Sequence, residues 1–291
     1  MTLTSPQPQA PNVAFEFVRS LAGELSGGKI ELPSFPEIAM RVRKVLSDSN
    51  ASIEQVMRVV GSEPALAARL MRVSNAASFN RTGKPITDLR TAINRIGYSM
   101  LRSAAMAFAL SQMRRGIKLD PLQARLNALW QHSTRVAALS CVLARSCTKV
   151  NPDEAMLTGM MQGIGKLYIM TRAAQHPQLF ADGGALDEIM RDWHAAIGKA
   201  ILENWEFAQS MCEAVGEQDD LTRDGEGEPD LRDVLAIAIV MASYGEDIAG
   251  LETAFRELPV ARRLSLDEPR IRAVVKDCAA EVTALSEALG S

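Results

Sequence analysis

Three histidines, a glycine-rich apolar segment and a short acidic run hold the side chains that could do chemistry in this sequence. The histidines are His132, His176 and His194. Residues 159–167, GMMQGIGKL, set Gln162 and Lys166 among three glycines, and residues 217–220 are Glu217, Gln218, Asp219 and Asp220. Imidazole and carboxylate groups together suit a metal that activates water for attack on phosphorus. Yet the familiar spacings are missing. The chain has no H-E-x-x-H, no C-x-x-C and no G-x-S-x-G. GIGKL contains a Gly-Lys step but lacks the phosphate-loop spacing and follows no strand pattern. Lys166 is therefore expected to snorkel or to cap a helix. A lone histidine on a helix is more often a packed residue than a ligand, and His132 and His194 both fall beside tryptophans, Trp130 and Trp193.

The elements that must position these groups are helical. Apolar residues make up 47% of the chain and aromatic residues only 5%, which favours helices over a β-sandwich. Ile38, Val42, Val45 and Leu46 share one helical face. Ser34 and Glu37 fit a capping box, with Pro36 in the first turn, after a stop at Gly27-Gly28. Further helices are expected from about Ser52 and after Ser62. Asp88 should cap a helix that ends at Gly97, and another should follow to about residue 113. Asp120 with Pro121 reads as an N-cap pair for a long helix to Cys147, and Asn151 starts a helix that leads into GMMQGIGKL. Later helices are expected over 185–205, 231–258 and 267–289. Residues 216–230 form an acidic loop. The reading is all-α in two helical lobes: a disordered leader over 1–14, a first lobe over 15–118, a second over 119–258 and a C-terminal helix over 259–291.

Charge is divided unevenly. Residues 1–118 carry 16 Lys and Arg against 8 Asp and Glu, and residues 119–291 carry 16 against 27. The halves can attract each other, or the basic half can meet an anionic partner. Arg41, Arg43, Lys44, Arg69, Arg72, Arg81, Lys84, Arg90 and Arg95 could contact phosphates, but they are spread around several helices. Aromatics for base stacking are scarce there, so nucleic acid is not the expected partner. The four cysteines sit in apolar helical contexts and read as buried thiols in a reducing compartment. No stretch of 18 apolar residues and no secretion signal is apparent. The expectation is a cytoplasmic protein without a membrane partner.

The order of motifs resembles a known family. The stretch LPSFPEIAMRVRKVLSDSNASIEQVMRVVGSEPALAARLMRVSNAASF, followed by TDLRTAINRIGYSMLR, is similar to the front of bacterial HDOD domains. LWQHSTRVAALSCVLAR, DEAMLTGMMQGIGKLYI and HAAIGKAILENW resemble the part that this family shares with the metal-dependent HD and HD-GYP phosphohydrolases. The resemblance implies an HD-domain-like bundle of HDOD type. It aligns His132 and His194 with two metal-binding histidines. It sets Gln162 and Gly163 where the relatives carry their His-Asp pair. Gln218 and Asp219 fall at the later histidine pair, and Ser243 at the closing Asp. Two histidines alone make a weak site, though Glu217, Asp219 and Asp220 could replace some carboxylates. Gly159, Gly163 and Gly165 are expected to permit close helix approach in that bundle.

The functional expectation is a non-catalytic regulatory module with no cofactor and no metal. Its binding groove would include His132, Gln162, Lys166, His194, Glu217, Gln218 and Asp219. The partners would be signalling proteins, with a small ligand or nucleotide as a further candidate. No receiver, GGDEF or kinase segment accompanies the domain, so input is expected in trans. The alternatives are a residual metal-dependent phosphohydrolase acting on a nucleotide or cyclic dinucleotide, and a nucleic-acid-binding regulator using the basic first lobe.

Overall fold

The structure, a computed structural model, describes residues 13–26, 37–48, 50–75, 80, 83–116, 120–181, 184–224, 227–245 and 247–289. The expected leader up to residue 12, the Gly27-Gly28 stop and the Ser34–Pro36 start lie outside these residues. Val13 and Ala14 were assigned to the leader by sequence but open the first helix, α1 (Val13–Ser26). Their side chains pack against the core.

The first lobe continues with α2 (Glu37–Ser47), α3 (Ile53–Gly61), α4 (Pro64–Asn75) and α5 (Leu89–Gly116). A capping box starts α3. Gln55 N donates to the Ser52 hydroxyl at 3.3 Å, and Ser52 N donates to the Gln55 side chain at 2.7 Å. Gly97 interrupts α5 with φ 78° and ψ 167°, a conformation that suits glycine alone. The break falls where the sequence implies it.

The second lobe is built on α6 (Asp120–Cys147). Asp120 is the first helical residue rather than the cap before it. Around α6 lie α7 (Pro152–Met161), α8 (Ile164–Ala173), α9 (Gln178–Ala181), α10 (Ala185–Asn204), α11 (Gln209–Gly216) and α12 (Leu231–Tyr244). The Asn151 side chain caps α7, accepting from Asp153 N at 2.9 Å. The chain closes with α13 (Ile248–Glu257), α14 (Pro259–Arg263) and α15 (Glu268–Leu289). The single helix expected over 231–258 is thus two, because Gly245 turns the backbone to φ 65° and ψ −115°. GMMQGIGKL is likewise not one helix: α7 ends at Met161 and α8 begins at Ile164, with Gln162 and Gly163 at the joint.

Among the described residues there is no strand, and the fold is an all-α two-lobed bundle. One core of buried apolar side chains runs from Phe17 to Cys278. Leu122, Leu126, Leu139 and Leu143 on α6 are fully or almost fully buried, each contributing about 1.5–3 kcal/mol from burial. α6 packs against α7, α12 and α15. The sequence division near residue 118 is bridged repeatedly, and α5 packs directly on α7. α1 packs against α9 and α10, and Glu24 on α1 accepts from Tyr168 and Arg172. Arg43 on α2 reaches Glu206, and α15 touches both α4 and α6. Among the described residues no helix is long and apolar enough to cross a membrane.

Candidate functional site

The candidate site forms where α8, α10 and the segment after α11 meet, and glycines set their spacing. A Cβ added to Gly165 on α8 would lie closer than 3.0 Å to the His194 carbonyl oxygen on α10 and 2.9 Å from Gly198 N. A Cβ at Gly159 would meet the Ala137 backbone on α6 at 2.8 Å, and one at Gly163 would meet Leu129 and Ser133 at 2.9 Å. These glycines are sites of close helix approach, as the sequence implies.

The approach buries His194 and aims its ring at the segment after α11. Its Nε2 lies 3.0 Å from the Asp219 carboxylate. Its Nδ1 faces the Gln218 side-chain nitrogen at a longer 3.5 Å. The orientation of that amide is set elsewhere: Gln218 Nε2 donates to Val215 O at 2.8 Å and, more weakly, to Gln162 O at 3.4 Å. Its Oε1 is buried with no partner among the described residues. A flipped amide would give up the 2.8 Å bond. In a neutral His194 ring with its proton on Nε2 toward Asp219, Nδ1 faces the Gln218 amide, whose two hydrogens are shared among Val215 O, Gln162 O and this nitrogen.

Asp219 and Lys166 line an open cleft of about 520 Å3 with Asp187, Met190, Arg191 and His194. The hydrogen bond from His194 holds the Asp219 carboxyl below the usual range; burial opposes this, and the His194 and Lys166 charges add to it. Burial lowers the Lys166 ammonium, with Asp219 acting the other way. Lys166 snorkels into the cleft. It lies in the first turn of α8, so it does not cap a helix C-terminus. Asp187 is held by Arg125 from α6, through Nη1 and through Nη2 at 3.2 Å.

The remaining sequence candidates are distributed around this cleft. Gln162 is buried behind it, its amide 3.4 Å from Ser133 Oγ. Burial lowers the His132 imidazole, and Lys166 and Arg135 lower it further. Glu217 turns away to Arg232, 3.1 Å from its guanidinium. Asp220 closes a local turn by accepting from Thr222 N and Oγ1. Ser243 is exposed and donates to Ile239 O in its own helix.

The acidic loop is organised by arginines. Asp233, fully buried on α12, accepts from Arg223 at 2.8 Å, Arg263 at 3.0 Å and Asp230 N at 2.9 Å. Burial would raise the Asp230 carboxyl, but bonds from Arg223, Arg232 and the Asp233 backbone drive it far below the ordinary range. Sequence reasoning missed this network, as it missed Asp187, Met190 and Arg191. The last three were accessible in principle, because they lie seven, four and three residues before His194 on one helix face.

The fold and this arrangement define an all-helical protein with an HD-like second lobe. The chain belongs to the HDOD domain family, whose model matches residues 32–221. Among solved structures it is similar to a proposed metal-dependent phosphohydrolase from Shewanella amazonensis, with 27% identity and a TM-score of 0.71 over 92% of this chain and 99% of that one. It is also similar to an HDOD domain protein of unknown function from Geobacter sulfurreducens, with 21% identity and a TM-score of 0.68 over 95% and 98%. A proposed signal transduction protein from Marinobacter aquaeolei matches in fold at 18% identity and a TM-score of 0.63, over 96% of this chain and 67% of that one. A search of curated proteins gave no match.

Among the described residues, no three His, Cys, Asp or Glu side chains converge in a metal-binding arrangement. His194 Nε2 is taken by Asp219, and Gly163 has no side chain to offer.

Proposed function

We propose that this protein is a non-catalytic signal-transduction module that works by binding, with the cleft around Lys166, His194 and Asp219 as its recognition surface. The observation that carries the reading is His194, whose Nε2 faces Asp219 at 3.0 Å and whose Nδ1 faces the Gln218 amide. A buried ring paired with Asp219 on one side and facing an amide on the other is suited to position that carboxylate rather than to take a substrate proton. Membership of the HDOD family and the signal-transduction name of the Marinobacter neighbour support a regulatory role in the coarse sense. Within this reading the protein acts in the cytoplasm on signalling proteins supplied in trans, and Lys166 and Asp219 present one charge of each sign to the partner. The nucleic-acid alternative is weakened by how the first lobe uses its arginines. Arg43 pairs with Glu206, Arg90 with Glu54, and Arg69 lies buried against Phe108.

The name of the 27% identical Shewanella protein favours a second reading, residual metal-dependent phosphohydrolysis. One experiment separates the two. Purified protein is assayed on bis(p-nitrophenyl) phosphate with added Mn, Fe or Mg, and its metal content is measured. In parallel, wild type and Lys166→Glu are used as baits for proteins of the source cell. Absence of metal-dependent turnover, with a partner retained by wild type and lost by Lys166→Glu, is the expected result. Metal-dependent turnover that disappears in His194→Ala would overturn the binding reading.

A further inference from the structure

A second cavity lies at the junction of the lobes and shares no lining residue with the His194 cleft. It encloses about 310 Å3 between α2, α5, α7, the α10–α11 connection and α11, a size suited to a small ligand. Its charges are unevenly used. Arg43 is already engaged: it donates to the Glu206 carbonyl at 2.8 Å and to the Glu206 carboxylate at 3.3 Å, and it lies 5.7 Å over the Phe207 ring. Arg102 on α5 is not. It is half-buried, its Nε is fully buried without an acceptor, and no carboxylate pairs with it among the described residues. A partly desolvated guanidinium without a counter-charge is costly, so this position favours an anionic group.

The same cavity is lined by two carboxylates from the first turn of α7, Asp153 and Glu154. Glu154 Oε1 accepts from Ser210 at 2.6 Å, which leaves its other oxygen for a donor. Leu157 and Met211 are buried and form an apolar wall beside Phe207. A ligand that is only anionic suits Arg102 but is repelled by the two acids. A ligand that is only cationic suits the acids and leaves Arg102 unpaired. A zwitterion with an apolar substituent satisfies all three features.

We propose that the lobe junction binds an α-amino acid with an apolar side chain, its carboxylate on Arg102 and its ammonium on Glu154. Bound there, the ligand ties α5 of the first lobe to α7 of the second and stabilises the observed arrangement of the two. The test is calorimetric titration of the full chain with leucine, methionine and phenylalanine, alongside leucinamide, N-acetyl-leucine and inorganic phosphate. At least one of the three amino acids is expected to bind, with both blocked leucine derivatives at least about tenfold weaker than leucine or undetectable. Arg102→Gln should cause a similar loss. The blocked ligands need no variant, so a poorly folding Arg102→Gln would not spare the proposal. No binding of any of the three at about millimolar concentration overturns it. So does equal binding of N-acetyl-leucine, or phosphate binding as tightly as leucine. These outcomes are independent of the His194 cleft, whose test uses Lys166 and His194.

Discussion

Gly165 and His194 share a space that admits no Cβ. An atom added at Gly165 would fall closer than 3.0 Å to the His194 carbonyl oxygen. That oxygen belongs to the α10 backbone, so the contact cannot be relieved by turning a side chain. The same crossing fixes the height of the His194 ring over Asp219, and packing and site geometry are therefore one feature here.

Gly165→Ala is accordingly expected to cost at least about 2 kcal/mol, since α8 and α10 must separate. Gly198→Ala on the facing helix is the control. Its added Cβ meets mainly a Val215 methyl at 2.9 Å, which can shift, so the loss should stay below about 1.5 kcal/mol. Urea denaturation of the two variants checks the order. Equal losses would show that the crossing is softer than its geometry implies.

His132 should make stability depend on pH. Its folded imidazole is lowered from 6.5 by burial, Lys166 and Arg135. Between the folded and unfolded values the unfolded chain holds a proton that the folded chain does not, so stability rises with pH there. The contribution is present above about pH 6.5 and is lost as pH falls through the folded value. Wild type should therefore lose stability more steeply than His132→Gln between about pH 7.5 and 5.5. Urea midpoints across that range measure it, and parallel slopes would remove His132 as the source.

Asp233 is the residue on which the loop before α12 depends. It is fully buried, and two arginines and one backbone N–H converge on it. Asp233→Ala leaves Arg223 and Arg263 without that partner and removes half of the capping box with Asp230. The expected loss is about 3–5 kcal/mol. Arg263→Ala should cost less, because Arg223 and the Asp230 backbone still satisfy Asp233. Thermal denaturation of both variants tests the ranking.

Much of the fold was legible because its boundaries are local. Asn151 caps α7 through its own neighbours, and Gly97 breaks α5 through its own φ. The Gln162–Gly163 joint was not legible, since an apolar run with helical composition hides a single non-helical step. In the site, resemblance pointed to the side chains around His194 but not to their use. Gln218 faces His194 because Val215 O, one turn earlier, fixes its amide. Glu217 leaves the cleft because Arg232, fifteen residues later, takes it. Ser133 meets Gln162 only through the packing of α6 on α7. Partners set by tertiary packing leave no periodic trace in a sequence.

Restoring the missing pair, Gln162→His with Gly163→Asp, should not create an enzyme. The joint between α7 and α8 has no room for the second change. A Cβ at Gly163 meets Leu129 Cδ1 and Ser133 Oγ at 2.9 Å, so the variant should lose about 1–3 kcal/mol from overpacking. The new side chains would also lack a complete set of companions. His194 keeps its Asp219 partner, and Ser243 offers only a hydroxyl whose proton goes to Ile239 O. Elemental analysis after incubation with Mn or Fe should find less than one bound ion per chain, and bis(p-nitrophenyl) phosphate should remain intact. Stoichiometric metal with turnover in this double variant would mean that the other ligands are within reach, and that His194 gives up its Asp219 partner when a metal competes for it.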